Sequence, residues 1–306
     1  MSSIAPRAVF VVRETDYELL LARHATRDQA RFFLKSRGQN LDAIERRHNR
    51  FHAVLQQARA AVPPEWRATL IQRRDLDRFL FGSDDLVVAI GQDGLVANVA
   101  KYLDGQPVIG VNPDPDLYDG ILVPVAPEGL ARLLRPTAQG DVPLQRRTMV
   151  ESQLDDGQRL LALNEIFIGH RSHQSARYDI DAGEKHELQS SSGLIVASGT
   201  GATGWARSIM QSTHKQIALG AEEAALAFFV REPFPSVSSG TSVRAGKFDA
   251  QNPLRVTSRM NEGGVVFADG IEQDHLNFDW GRTVQVSVSS RRLNLVLPAG
   301  GKGKTA

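Results

Sequence analysis

A short glycine-containing loop, Gly91-Gln92-Asp93-Gly94, carries the strongest candidate for chemistry in this sequence. It follows an apolar run at residues 86–90 and precedes a helical stretch at residues 95–103. Ligands bind at the carboxyl ends of strands in open α/β sheets, and a helix N-terminus favours anions. A carboxylate beside a bound phosphate indicates either a metal contact or a base directed at a hydroxyl. The simpler alternative is that Asp93 caps the helix and the glycines form a turn.

A second glycine-rich segment, residues 199–204, follows the literal pattern G-x-G-x-x-G. In Rossmann folds this fingerprint lies near the first strand of a domain, and an acidic residue ends the next strand. Here we expect the following stretch, residues 211–227, to be helical, so the pattern does not predict a Rossmann domain. A Gly/Thr bend that opens a helix can still contact the adenine or ribose of a ligand. The sequence contains no P-loop motif.

The elements that surround these segments predict two domains of different character. Apolar runs of strand length are separated by helical stretches in the N-terminal part, which indicates βαβ units and a parallel sheet. After about residue 126 strand-like runs dominate, with one helix at residues 205–212. The predicted fold class is therefore α/β, with an open N-terminal α/β domain and a β-rich C-terminal domain. The predicted strands lie at residues 8–13, 68–72, 86–90, 107–111, 160–168, 193–198, 254–259, 265–268, 283–289 and 293–297, and the N-terminal helices at residues 27–61, 76–80 and 95–103.

The composition of the 306-residue chain narrows the classes of function. Its net charge of +1 argues against a generally basic nucleic-acid-binding or membrane-surface protein. The absence of cysteine excludes disulfides, thiol nucleophiles and cysteine-ligated zinc. Only seven of the 36 basic residues are lysines, so an anionic ligand must be met mainly by arginines, backbone amides or a metal. No signal peptide or membrane span is visible, and we expect a soluble, cytoplasmic protein.

The histidines are weaker candidates than the two loops. His48 and His52 are spaced i, i+4 on a predicted helix, but no glutamate adjoins the first of them. We therefore expect both to face solvent and predict no metal site. His170 and His173 follow a strand, where surface positions are expected, although a contact with phosphate or ribose is an alternative. Asp269-Gly270 predicts a hairpin turn.

Three segments, taken in order, resemble the NAD kinases of the NAD kinase/diacylglycerol kinase superfamily. They are the loop at residues 91–94, the pair Asn164-Glu165, and Ser191-Ser192-Gly193 leading into residues 200–205. The likeness covers residues 7–297 and is closest to the mitochondrial-type members and their bacterial relatives. Further segments that carry it lie at residues 110–115, 164–169, 230–233 and 267–270.

The resemblance implies a two-lobe enzyme that transfers a phosphoryl group from ATP, or from polyphosphate in some members, to NAD. The acceptor is the 2′-hydroxyl of the adenosine ribose, the product is NADP, and Mg²⁺ takes part. It implies an α/β domain over residues 1–126 and a nucleotide-binding domain over residues 127–297, whose last strand can return to the first domain. Residues 298–306 are expected to form a flexible tail. A homo-oligomer without nucleic-acid or membrane partners is also implied.

The resemblance also assigns roles to individual residues. Asp93 matches the aspartate taken as the base for the ribose hydroxyl, and Gly91, Gln92 and Gly94 lie in the loop that faces the phosphates of ATP. The residues that match NAD-binding positions are Asn164, Glu165, Thr200, Gly201, Thr203, Gly204, Trp205 and Ser208.

One departure from the family pattern leaves the activity open. Gln92 replaces the second glycine of the family loop, which places a side chain next to the expected phosphates. Because Asp93 is retained, we predict an active NAD kinase. The alternatives are a related kinase that phosphorylates another nucleoside or a lipid diol, and a catalytically silent regulator that binds a dinucleotide.

Overall fold

The computed structural model describes residues 5–298, which form two compact units. The first unit contains the chain up to Gln145 and the segment that begins at Asn294, and the second runs from Arg146 to Leu293. The first unit thus extends past residue 126, the boundary expected from the sequence. Of the expected flexible tail, only residue 298 lies within the described residues.

Five parallel strands form the sheet of the first unit. Their spatial order is β2, β1, β3, β4 and then residues 294–296 of the last strand of the chain. Every neighbouring pair runs in the same direction, so the predicted parallel sheet is confirmed. The strands are β1 (Arg7–Val12), β2 (Arg67–Gln72), β3 (Asp85–Ile90) and β4 (Pro107–Val111).

Helices cover both faces of this sheet. The helices of the first unit are α1 (Asp16–His24), α2 (Arg27–Lys35), α3 (Leu41–Ala60), α4 (Asp93–Ala100) and α5 (Leu130–Gln139). Leu55 of α3 and Leu134 of α5 belong to the same apolar cluster as Val88 of β3. The alternate residues Val87 and Ala89 point to the opposite face and are also fully buried, and α4 packs against β1, β3 and β4. The continuous apolar run of β3 reflects this double burial.

The helical layer before β2 differs from the prediction. The single helix expected at residues 27–61 is wrong, because α2 ends at Lys35 and α3 begins at Leu41. Gly38 adopts a positive φ of 71°, and the Asn40 side chain accepts a hydrogen bond from the amide of Asp42 and so caps α3. Helix α1 was not predicted; Thr15 and Glu18 form a capping box at its start.

The second unit is built from two antiparallel sheets. One contains six strands in the order β12, β11, β10, β7, β14 and β15. The other contains β16, β13, β8 and β9 in that order, and β5 pairs with β16 and with β6. The strands are β5 (Leu144–Leu154), β6 (Arg159–Ala162), β7 (Glu165–His170), β8 (Ala176–Ala182), β9 (Lys185–Ser191), β10 (Leu194–Ala197), β11 (Ala225–Val230), β12 (Ala245–Asp249), β13 (Leu254–Ser258), β14 (Gly264–Ala268), β15 (His275–Asn277) and β16 (Thr283–Val296).

The core of the second unit lies between these sheets. Ile166 and Ile168 of β7 pack in one apolar cluster with Tyr178 of β8 and Val256 of β13. On the outer face of the six-stranded sheet, helix α6 (Trp205–Thr213) packs Met210 in a cluster with Phe229 of β11. The predicted fold class, an open α/β domain followed by a β-rich domain, is therefore confirmed.

Two sequence-based expectations for the second unit are wrong in detail. The helix expected at residues 211–227 ends at Thr213, and Ala225–Val230 forms β11, a strand buried along its whole length. The strand expected at residues 160–168 is interrupted at Leu163 and Asn164, which separate β6 from β7. Within residues 5–298, no helix has the length and apolar character that crossing a membrane requires.

We expect Leu134→Ala to lower the free energy of unfolding by about 2–5 kcal/mol, because Leu134 is fully buried under the parallel sheet. The matched control is Leu80→Ala, since Leu80 is 89% exposed and its replacement should change stability by less than about 0.5 kcal/mol. Chemical denaturation of both variants measures the difference. Equal stabilities for the two variants would contradict the packing described for α5.

Candidate functional site

The predicted loop of the first unit connects β3 to the N-terminus of α4. The amide of Gly91 donates a 3.1 Å hydrogen bond to the carbonyl of Val111, which ties the loop to β4. Gln92 precedes the first helical residue with φ −91° and ψ 166°, an extended conformation open to any residue, and its side chain is exposed. The replacement of a glycine by Gln92 therefore imposes no backbone strain on the loop. Gly94 is likewise exposed in the first turn of α4.

The Asp93 carboxylate is held by backbone amides from a different segment. Its Oδ1 accepts a 2.8 Å hydrogen bond from the amide of Leu122, and its Oδ2 accepts a 3.1 Å bond from that of Ile121. Asp93 is the first residue of α4 and not its cap, so the simple capping alternative is wrong. Each carboxylate oxygen can accept more than one hydrogen bond, so the two amides orient the group without exhausting it.

A glycine on β4 makes this arrangement possible. A Cβ atom on Gly110 would lie 2.0 Å from the carbonyl oxygen of Leu122, so a side chain there would push the segment away. The amide of Val125 donates to the carbonyl of Gly110, and the amide of Asn112 donates to the carbonyl of Val125. The close approach at Gly110 thus keeps the Leu122 amide within reach of Asp93.

In the second unit, a single carboxylate organises the junction between β6 and β7. Asp269 accepts hydrogen bonds from the amides of Leu163, Asn164 and Glu165, at 2.9, 2.8 and 3.2 Å. Asp269 and Gly270 both have positive φ, and the amide of Ile271 donates to the carbonyl of Ala268 across them. This turn has the geometry of type I′, but it begins a longer connection between β14 and β15 and is not the two-residue hairpin turn that was expected, because Phe267 pairs with His275. Its aspartate also fixes the backbone of Asn164 and Glu165.

Glu165 has an unusual protonation equilibrium. Burial, and after it the negative charge of Asp269, raise the pKa of Glu165 to about 7. Its own side chain is only partly exposed to solvent. A carboxyl group with this pKa can donate or accept a hydrogen bond near neutral pH, which suits a partner such as a sugar hydroxyl.

The glycine-rich segment at residues 199–204 packs directly on Asn164. The amide of Ser198 donates to the carbonyl of Asn164, and the Ser198 hydroxyl accepts from the amide of Thr200. A Cβ atom on Gly201 would lie 2.1 Å from the Asn164 carbonyl oxygen, so only glycine fits there. The structure therefore brings Asn164, Thr200 and Gly201 together. The segment joins an antiparallel strand to α6, which is not the setting of a Rossmann turn.

Trp205, at the start of α6, lines a cavity of about 460 Å³ on the outer face of the six-stranded sheet. Its ring is parallel to that of Phe167, with centroids 6.2 Å apart, and Phe167 stacks on Phe267 at 4.7 Å. The Arg231 guanidinium carbon lies 5.1 Å from the centroid of the Trp205 ring. The other charged or titratable groups in the lining are His170, Arg171, Glu272 and His275. Flat apolar walls with a surplus of cationic groups suit a planar ring that carries phosphates.

The remaining predicted site residues belong to the glycine-rich segment or to the start of α6. The Thr200 hydroxyl is buried and accepts a 3.2 Å hydrogen bond from Arg147, and the Thr203 hydroxyl donates to the Thr200 carbonyl. Gly204 and Ser208 are exposed at the start of α6 and do not line the cavity. The His170 side chain lies in the lining, whereas His173 is exposed.

The sequence analysis did not identify Phe167 and Phe267, the two stacked rings that form the aromatic floor of this cavity. Phe167 and Phe267 are direct partners on the paired strands β7 and β14. The alternation of β7 places Phe167 on the face opposite Ile166 and Ile168, so the sequence carried a signal for its outward position. Their juxtaposition depends on the pairing of strands about a hundred residues apart, which a single sequence does not reveal.

We expect Glu165→Gln to remove a pH-dependent loss of stability. Between about pH 4.5 and 7 the folded protein keeps the Glu165 proton that the unfolded chain has released, so the free energy of unfolding falls as pH rises through that window. Relative to wild type, the variant should gain about 2 kcal/mol between pH 5 and pH 8. Urea denaturation at the two pH values measures this gain. Glu184→Gln, at an exposed position, is the control, and an equal gain in both variants would refute the assignment.

Comparison with curated proteins finds NAD kinases and a probable NADH kinase among the sequence relatives, whereas no protein-family model matches the chain. Human mitochondrial NAD kinase 2 is 28% identical over 254 residues, a match that covers 66% of this chain and 58% of that protein. The NAD kinase of Acinetobacter baylyi is 27% identical over 263 residues, covering 81% of this chain and 78% of that protein. The chain thus spans less than two thirds of the human relative.

Solved structures share the fold over nearly the whole chain. An NAD kinase from Archaeoglobus fulgidus, crystallised with ATP, has a TM-score of 0.59 at 19% identity and covers 95% of this chain and 94% of that one. Yeast NADH kinase, solved with NADH, has a TM-score of 0.61 at 14% identity and covers 99% and 86%. The sequence matches agree with the resemblance drawn from the motifs: this chain is similar in sequence to NAD kinases and shares the fold of their solved structures.

Proposed function

We propose that this chain is an NAD kinase that transfers the γ-phosphoryl group of ATP to the 2′-hydroxyl of the adenosine ribose of NAD, giving NADP. The observation that carries the proposal is the position of Asp93. This carboxylate stands in the first turn of α4, next to a glycine-flanked helix N-terminus, and two backbone amides fix its orientation. A proton acceptor beside an anion-binding helix end is what phosphoryl transfer to a hydroxyl requires.

The proposed reaction requires little covalent chemistry from the protein itself. Phosphoryl transfer depends mainly on alignment of the attacking oxygen and on neutralisation of charge. Asp93 accepts the proton of the ribose hydroxyl as that oxygen attacks the γ-phosphorus. The first amides of α4 lack partners within the helix and can donate to phosphate oxygens. In this role Gly91 and Gly94 keep the loop backbone accessible, and Gln92 directs its side chain into solvent.

The donor site fits MgATP through the same loop. Mg²⁺ prefers oxygen ligands and is bound in many such sites largely through substrate phosphates, which leaves Asp93 free to act as the base. When bound, the ion neutralises charge on the transferred phosphoryl group. The loop contains no lysine, so amides and the ion carry this task. The ATP in the Archaeoglobus structure supports ATP as the donor, and polyphosphate is the alternative to assay.

For the acceptor site we propose the second unit. Asn164 and Glu165 pair an amide with a carboxyl group of pKa about 7, a set that matches the two adjacent hydroxyls of a ribose. The cavity beside Trp205 offers aromatic walls for a base, and Arg171 and Arg231 offer charge for a pyrophosphate. Thr200 and Gly201 support this site by packing against Asn164, and Thr203, Gly204 and Ser208 extend it along the start of α6. Because the yeast neighbour binds NADH, both NAD and NADH belong in the assay.

Incubation of the chain with ATP, Mg²⁺ and NAD, followed by an assay for NADP, separates two alternatives from this proposal. A kinase for a lipid diol would have little use for an aromatic cavity lined with arginines. A silent dinucleotide-binding regulator was suggested by Gln92, but the extended backbone at that residue supports an intact loop. NAD binding without NADP formation from ATP or polyphosphate would favour the regulator. Absence of NAD binding would remove the acceptor assignment.

The roles of the two units, the oligomeric state and the cellular location are also part of the proposal. We propose that the first unit carries phosphate binding and the proton acceptor and that the second binds the dinucleotide. We also propose a cytoplasmic homo-oligomer. Light scattering of the purified chain measures the subunit number, and cell fractionation measures the location.

We expect Asp93→Asn to reduce NADP formation by at least about 10²-fold, because the amide cannot take up the proton of the hydroxyl. NAD affinity should stay within a few-fold of wild type, since the amide fills the same space. Asp28→Asn is the matched control, because Asp28 lies on α2 with a side chain 90% exposed. Turnover is measured by coupling NADP to an NADP-specific dehydrogenase. Wild-type turnover in Asp93→Asn would exclude Asp93 as the base.

We expect Trp205→Ala to weaken NAD binding by about tenfold, because stacking on an aromatic side chain contributes about 1–3 kcal/mol per base. The value of kcat should change less than KM, since Trp205 contacts no reacting atom in this proposal. Trp280→Ala serves as the control, because Trp280 is 58% exposed and lies outside the cavity. Calorimetry with NAD measures the affinities. Equal affinities for the two variants would place the dinucleotide elsewhere.

A further inference from the structure

Two helices of the first unit bring together three side chains that can ligate a metal. They are Glu18 of α1 and the pair His48 and His52 of α3, and one ligand atom of each lies within 4.8 Å of the others. Among the described residues, this is the one cluster of at least three histidine or acidic side chains with that spacing. None of the three residues belongs to the loop at Asp93 or to the cavity at Trp205.

The expectation that both histidines face solvent is wrong for His48, whereas His52 is exposed as predicted. His48 and His52 are one turn apart and share a face of α3, as their spacing predicted. That face is covered by α1, which the sequence analysis missed. As a result His48 is partly buried, and its ring centroid lies 4.9 Å from that of Tyr17.

Thr15 arranges the hydrogen bonds behind two of the three side chains. Its hydroxyl lies 3.1 Å from Glu18 Oε2 and 2.8 Å from His48 Nδ1. We assign the one proton of the hydroxyl to its hydrogen bond with the carboxylate, so that Nδ1 of His48 donates to the hydroxyl and the lone pair of the neutral imidazole is on Nε2. Ligating histidines usually donate their other ring N–H in this way.

The Glu18 carboxylate is similarly anchored through one oxygen. Oε2 accepts hydrogen bonds from the Thr15 amide, at 2.7 Å, and from the Thr15 hydroxyl. The other oxygen, Oε1, lies 3.1 Å from Nε2 of His52. Two ligands bound at about 2.1 Å to one tetrahedral ion stand about 3.3 Å apart, so this pair is already close to the required spacing.

We propose that Glu18, His48 and His52 form a Zn²⁺ site, with water in the fourth position. Two imidazoles and a carboxylate are a zinc donor set, whereas Mg²⁺ prefers oxygen ligands alone. The site joins α1 to α3, and α1 has no fully buried residue of its own. Zinc therefore fastens the outermost helix of the first unit to the rest of that unit.

The test uses the full chain, purified without a histidine tag and treated with a chelator. Calorimetric titration with ZnCl₂ should show one site per chain, and MgCl₂ should show none at this cluster. Co²⁺ should give the visible d–d bands of a tetrahedral site. His48→Ala and His52→Ala should each lower Zn²⁺ affinity at least about tenfold, and Thr15→Ala should have a similar effect through the ligand orientation.

His173→Ala is the control, because His173 is exposed in a loop of the second unit. This variant should bind Zn²⁺ like wild type. Hydrogen exchange of α1 amides should slow when Zn²⁺ is added to wild type and stay unchanged in His52→Ala. Circular dichroism without metal checks that the variants fold, which is expected for the exposed His52. Absence of Zn²⁺ binding, or equal loss of binding in His52→Ala and His173→Ala, would overturn the proposal.

Discussion

The second unit depends on one carboxylate that holds three consecutive backbone amides. Without Asp269, the amides of Leu163, Asn164 and Glu165 would have no acceptor at the point where β6 gives way to β7. A buried amide without a partner costs about 1–3 kcal/mol, so the turn that presents Asp269 stabilises the interrupted strand. The same junction supplies the carbonyl on which Ser198 and Gly201 pack. The position of the glycine-rich segment and of Trp205 therefore follows from this contact.

The first unit also contains a carboxylate that accepts hydrogen bonds from backbone amides, but with the roles of side chain and backbone exchanged. At Asp269 a side chain positions a backbone, whereas at Asp93 the backbone amides of Ile121 and Leu122 position a side chain. The difference matches the parts proposed for the two residues. Asp269 has its hydrogen bonds directed at the protein and raises the pKa of Glu165 by its charge. Asp93 is held by one amide at each oxygen and retains capacity for a further acceptor role.

Local signals in the sequence predicted much of the fold. The run at residues 86–90 within β3 is apolar at every position, and this indicated burial on both faces and hence a parallel sheet. The loop after it was identified because glycine and aspartate follow that strand directly. The capping box of Thr15 and Glu18 was present in the sequence but overlooked, and with it the helix that covers His48. The start of the run at Ala225–Val230 was included in the helix expected at residues 211–227, because alanine and phenylalanine fit either structure and the break at Gly220 was overlooked.

Other parts of the candidate site could not be predicted, because they depend on long-range pairing. The aromatic floor of the cavity exists only because β7 and β14 are neighbours in a particular register. The contact between Gly110 and Leu122 depends on the path of the chain after β4. The raised pKa of Glu165 depends on its burial in the fold and, after that, on the charge of Asp269 beside it. Resemblance to a family supplied expectations for such positions that composition and periodicity alone do not contain.

The order of the chain has a consequence for how the first unit is made. Its fifth strand comes from residues 294–296, where Leu295 pairs with Val108 and Val296 joins the apolar cluster under the sheet. When residues up to 145 have left the ribosome, Pro107 and Val108 of β4 still form an unpaired edge, which is a site for wrong pairing. The entire second unit must be synthesised before the partner strand emerges. The first unit is thus the first to be translated, but it cannot be the first to be completed.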